Sequence, residues 1–292
     1  MVMIDRKKIN YWLNRFNYSE TCSKAAEVAF FVTLSIFPFF MFTVSAVAYI
    51  PWLQTSGYVQ IINEIVPVRA RDFIRLIIKA AVNNRNMRYL FVSFVMTMWT
   101  FSRVIKALVK GMNRAYISPE TRTFVRTTIM SFLFTIMLIL LIFMSMILLV
   151  YGEKIGHIIF SFIGFDRLFI NIWNGTRYII GAVSTATFFC LLYKFTPNLK
   201  LKIKMVVPGA VFSTLGWFLM SYMYSFYTNN FGSYKAIYGG LEEIIVLLTW
   251  IYFSSWVIVL GYRINASIYK RYKRINMLDK LDKEKSIEED KK

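Results

Sequence analysis

Residues 127–152 read TTIMSFLFTIMLILLIFMSMILLVYG, 26 positions without a charged side chain between Arg126 and Glu153. A helix needs roughly 20 apolar residues to cross the hydrocarbon of a bilayer. In lipid every backbone N–H and C=O has to be satisfied within the segment, which a helix does by itself. The stretch therefore reads as a transmembrane helix and assigns the chain to a membrane class.

Other charge-free intervals extend that reading. Residues 28–63 carry no charge, and Val28 to Ile50 should span, ending at the interfacial pair Pro51 and Trp52. Residues 205–234 give a span near Val206 to Tyr227, and residues 244–262 give one more. Tyr89–Ser102 and Tyr178–Tyr193 are shorter, and each can cross if basic residues at its end snorkel to the headgroups. The expected fold is all-α: about six transmembrane helices plus interfacial amphipathic helices.

Composition agrees, with 57% hydrophobic residues, 18% aromatic residues and a mean hydropathy of +0.49. The formal charge of +19 would suggest nucleic acid in a soluble protein. In a membrane protein the same excess follows from basic cytoplasmic loops and anionic lipid headgroups, so membrane lipids are the expected partners and nucleic acid is not. Six crossings put both termini on one side. That side would hold 25 of the 35 Lys and Arg, which places both termini in the cytoplasm by the positive-inside rule. No small-residue cleavage site follows the first apolar run, so no cleaved signal peptide is expected.

Three segments read as lying on the membrane. Ile9, Trp12, Leu13 and Phe16 follow helical spacing on one face. Val59–Ala81 mixes isoleucines with Arg69, Arg71, Arg75 and Lys79 and is broken at Pro67, and 154–173 is a less regular version. The expected organisation is an interfacial N-terminal helix over 1–24, a six-helix membrane domain over 25–270, and a charged cytoplasmic tail over 271–292, read as a solvated helix. No repeat of fixed period is visible.

The sharpest polar pattern closes the second span. At 100° per residue Arg103, Lys106, Lys110, Asn113 and Arg114 share a sector of about 100°, opposite Ile105, Leu108, Val109 and Met112. Two readings stand: a solvated face that sets topology, or a basic groove for an anionic headgroup or solute. Pro38, inside the first span, removes a backbone donor and should kink it. Gly239 and Gly240 are the other candidate hinge. Glu242 and Glu243 beside them could couple to cations or protons, or simply complement the start of a helix. His157 is the sole histidine, and Cys22 and Cys190 form no CxxC pair. The chain has no HExxH, GxSxG or P-loop pattern, so no catalytic residues, metal site or cofactor are expected.

An ordered set of short motifs resembles the YihY/BrkB family of membrane proteins. It comprises Ala25-Ala26-Glu27-Val28-Ala29-Phe30 leading to Pro38, Gly111-Met112-Asn113-Arg114-Ala115-Tyr116, and Leu192-Tyr193-Lys194-Phe195 with Pro197 and Asn198. It continues with Pro208-Gly209-Ala210 and Trp217, Tyr238-Gly239-Gly240-Leu241, and Gly261-Tyr262-Arg263-Ile264-Asn265. The matches run from about residue 15 to 270. The family usually closes its last span with Gly-Ala-Glu-x-Asn, whereas Tyr262 and Arg263 stand here in place of the Ala and Glu. The resemblance implies a six-helix protein of the bacterial inner membrane. Members have carried a ribonuclease BN label, for which this sequence offers no acid–base or metal chemistry, and have been linked to virulence and envelope lipid traffic. With the basic stripe, it points to handling of an amphipathic anionic substrate of lipid type. A cation or proton antiporter and a non-transporting envelope scaffold are the alternatives. Oligomeric state is not legible.

Overall fold

A computed structural model describes residues 18–49, 85–161, 168–230 and 241–289, with 75–76, 79–80 and 82–83 between the first two. Side chains are left undescribed at 47, 146–161, 168–174, 177, 241–243 and 278–289. Six helices follow one another: α1 Tyr18–Val47, α2 Met87–Tyr116, α3 Phe124–Ser161, α4 Leu168–Phe195, α5 Ile203–Asn230 and α6 Leu241–Glu289. Among the described residues each holds a window long and apolar enough to cross a membrane.

The helices are longer than the charge-free intervals, and the reason is local. α1 begins ten residues before Val28 because the charges of its first turns are paired within the fold. The short second interval becomes a helix of 30 residues, since the basic stripe continues the same helix. α3 and α4 absorb much of 154–173: the backbone is helical through Ser161 and again from Leu168. The described backbone of that stretch thus belongs to the ends of two long helices. α6 runs on through position 271 to Glu289. Helical conformation also continues through Pro38. The amphipathic 9–16 segment and Gly239–Gly240 lie outside the described residues, as does most of 59–81.

By compactness the described residues fall into two units. The first holds α1 up to Ala29, Lys106–Met130 and everything from Ala182 on; the second holds Phe30–Ile105 and Ser131–Gly181. In the second unit buried hydroxyls on three helices bond their own backbone: Ser35 donates to Phe31 O at 2.6 Å, Thr97 to Ser93 O at 2.7 Å and Thr135 to Ser131 O at 2.8 Å. Such small polar residues let membrane helices approach closely without leaving a donor bare. Phe39 fills the remaining space against Phe101 and Phe143.

The first unit is built on α5 packed antiparallel along α6. Gly209, Ser213 and Gly216 recur at helical spacing on the contact side of α5. A Cβ at Gly209 would lie 2.1 Å from Gly261 O, and one at Gly216 would lie 2.4 Å from Val257 Cγ1, so only glycine fits there. Farther along, Trp250 packs on Trp217 and Tyr224 and points Nε1 at Ser221 Oγ, 3.4 Å away. Outward, large apolar side chains stand exposed, among them Phe30, Leu34 and Phe37 on α1 and Leu215, Leu219 and Tyr222 on α5. Apolar outside with buried hydroxyls and amides inside is the arrangement a lipid solvent selects.

Candidate functional site

Beside the seam between α5 and α6 lies a run of buried polar groups. Pro208 removes one backbone donor from α5, and Asn265 of α6 engages the backbone of that turn. Its Oδ1 accepts the Gly209 N–H at 2.7 Å and its Nδ2 donates to Val206 O at 2.9 Å. Close by, Tyr193 Oη is 2.7 Å from Ser213 Oγ and donates to Ile258 O at 2.8 Å. Asn265 and Tyr193 are fully buried. These bonds tie α4 and α5 to α6.

A second cluster lies where α1, α2 and α6 meet. Glu20 Oε1 accepts from Arg114 Nε at 2.8 Å, and Glu20 Oε2 from Arg263 Nη2 at 2.8 Å. One turn on along α1, Lys24 pairs with Glu27. Glu20, Lys24 and Glu27 share one face of α1, because i, i+4 and i+7 positions fall together on a helix. Gly111 makes room for the cluster: a Cβ there would sit 2.6 Å from Tyr262 Oη and 3.6 Å from Lys24 Cδ. Ionisable groups held inside a membrane domain are costly and usually functional.

A third constellation clasps two loops. α2 ends with Ile117 in the left-handed region at φ 55°, where Ser118 N–H reaches Asn113 O at 2.9 Å and Ile117 N–H reaches Arg114 O at 3.1 Å. This Schellman-type turn returns the chain so that Asn113 Nδ2 donates to Glu120 at 2.6 Å while Asn113 Oδ1 accepts Asn198 N–H at 2.8 Å. Asn198 Nδ2 donates in turn to Pro119 O and Thr121 Oγ1. Arg122 grips Glu120 with Nε at 2.6 Å and Nη2 at 2.7 Å, and Nη2 also reaches Thr196 O. The Arg122 side chain beside it holds the Glu120 carboxyl below the ordinary value of 4.5, against the opposing effect of partial burial.

These three constellations collect the motifs quoted from the sequence. Asn113 and Asn198 meet across the loops, with Pro197 buried beside them, and Gly209, Gly261 and Asn265 meet across α5 and α6. The sequence pattern described as virulence factor BrkB matches residues 13–286. The chain belongs to the BrkB family. A ribonuclease-like protein of Bacillus subtilis (strain 168), YfkH, is 36% identical over 260 residues, covering 89% of this chain and 94% of YfkH. UPF0761 membrane proteins of Idiomarina loihiensis and Pseudoalteromonas translucida are 31% and 36% identical over 103 and 80 residues, about a third or less of each chain. No solved structure matches.

The basic stripe divides on inspection. Asn113 is buried in the loop clasp and Arg114 is held by Glu20. Arg103 and Lys110 are exposed and Lys106 is half-buried; among the described residues none of the three has a carboxylate partner. Arg103 stacks over the Trp99 ring at 4.7 Å and belongs to the second unit. Lys106 sits 4.8 Å over Phe124 and belongs, with Lys110 and Arg114, to the first. The side chains of Glu242 and Glu243 lie outside the described residues. Among those described, no three His, Cys, Asp or Glu come together as a metal site would need. In the sequence Lys24 counts only toward the distribution of basic residues, Glu20 stands out in no motif, and Arg263 is a departure from the family motif. The i, i+4, i+7 spacing of charges opening the first span was the available signal.

Proposed function

We propose that the protein handles an amphipathic, anionic substrate of lipid type in the bacterial inner membrane. The Arg103, Lys106 and Lys110 row of α2 would engage the headgroup, and the exposed apolar helix faces would shelter the chains. The observation that carries this reading is a contrast within the described residues. Lys24, Arg114, Arg122 and Arg263 each have a carboxylate, whereas the three stripe cations do not. Two of them instead lie over aromatic rings, the surroundings of a cation at the edge of hydrocarbon. The distribution of Lys and Arg supports a cytoplasmic position for both termini.

The test is movement of a fluorescent anionic phospholipid in vesicles carrying the purified protein. Replacing Arg103, Lys106 and Lys110 with Gln should abolish movement and leave membrane insertion intact. Undiminished movement in that variant would sink the reading. The antiporter alternative is addressed by cation flux in the same vesicles. Flux lost on replacing Glu242 and Glu243 would move that alternative ahead.

A further inference from the structure

Glu20 is bonded to two arginines that differ in surroundings. The Arg263 side chain is 10% exposed, and that of Arg114 is 71% exposed. Arg114 reaches Glu20 through its Nε. Among the described residues its two terminal amino groups make no hydrogen bond, and the side chain is mostly exposed. Lys110, one turn earlier on α2 and exposed, has no carboxylate partner among the described residues either.

We propose that Arg263 sets the sign of the charge accepted at this end of the first unit, making it an oxyanion site in which Arg114 touches the ligand and Glu20 positions Arg114. The ligand chemistry is a phosphate group, free or esterified in a lipid headgroup. A guanidinium held by its Nε keeps a pair of parallel N–H donors for such a group, a match lysine cannot make. Glu20 alone would neutralise Arg114 and turn a carboxylate toward an arriving anion. The buried Arg263 cancels that carboxylate, so the triad carries one net positive charge, and the charge lies at its exposed end. A glutamate at 263 would place two carboxylates on one arginine and give the triad a net negative charge. The same end would then favour cations. This assignment rests on the anionic-substrate reading above but uses neither Arg103 nor Lys106.

The experiment uses the full chain in phosphatidylcholine nanodiscs, titrated with radiolabelled inorganic phosphate and, separately, with short-chain phosphatidylglycerol. R114Q should weaken binding about tenfold or more, the loss of a charge-assisted pair of bonds, with thermal unfolding near that of the wild type. R263E should abolish binding. The conservative variant R263K keeps the partner of Glu20 and the net positive charge, and should hold affinity to within a few-fold of wild type. Binding of phosphate alone identifies a free anion as the ligand, and binding of phosphatidylglycerol identifies a headgroup. Should R263E fail to fold, R114Q decides, because its side chain is mostly exposed. Wild-type affinity for both probes in R114Q overturns the proposal, as does a folded R263E that binds them as the wild type does. If K106Q/K110Q loses phosphatidylglycerol while R114Q keeps it, the stripe reading stands and this one falls. If the wild type takes neither probe, both fall.

Discussion

Gly261→Ala is the most demanding substitution the fold offers. A Cβ at that position would lie 1.9 Å from Ser213 Oγ and 2.8 Å from both Gly209 O and Tyr193 Oη. Gly209 O is backbone and Tyr193 is fully buried, so neither can swing aside. Overpacking of a close-packed core costs about 1–3 kcal/mol. Pushing Ser213 away also breaks its bond to Tyr193, about 1 kcal/mol more. The helix-propensity gain of alanine returns only about 0.5–1 kcal/mol. The net expectation is a loss on the order of 1–3.5 kcal/mol, read as a fall in thermal midpoint in detergent. Gly181→Ala provides the contrast, since nothing lies within 4 Å of its Cβ, and its stability should hold or rise slightly. Adding Ser213→Ala to Gly261→Ala should recover part of the loss by removing the nearest obstacle. Wild-type unfolding of G261A, or equal effects at 261 and 181, would refute the close approach of α5 and α6.

Asn265→Leu leaves the Gly209 N–H and Val206 O without their side-chain partner, and thermal unfolding in detergent should show a loss of roughly 2–4 kcal/mol. Ile117→Gly should raise stability by about 1 kcal/mol in the same assay, because a β-branched residue is strained at positive φ and this one is 78% exposed. A fall would show that Ile117 packs against something that matters. The Glu120 carboxyl titrates below its ordinary value of 4.5, so its contribution is present above that pH and fades as pH drops below it. Midpoints of wild type and Glu120→Gln should therefore differ at pH 7 and converge toward pH 3; a gap unchanged with pH would contradict the Arg122 pairing.

The number of spans was legible because hydrocarbon demands long apolar runs, and runs such as 127–152 serve no other purpose. Helix ends were less legible, since a rule based on the absence of charge stops where Glu20, Lys24 and Arg263 begin, although these residues pair inside the bundle. The stripe on α2 was visible as an angle, but the angle could not separate Asn113 and Arg114 from the rest. Their partners, Asn198 85 residues later and Glu20 on another helix, depend on tertiary contact. Gly209, Gly261 and Asn265 could be quoted as a motif, yet their shared role in one backbone contact needed coordinates.

Whether the basic row of α2 holds an anionic lipid can be read by native mass spectrometry of the detergent-purified protein. A specific anionic lipid should be retained by the wild type and lost when Arg103, Lys106 and Lys110 are changed to Gln. A protein that retains no lipid, or retains it regardless of those residues, would contradict lipid handling by the stripe and leave it as a signal for topology.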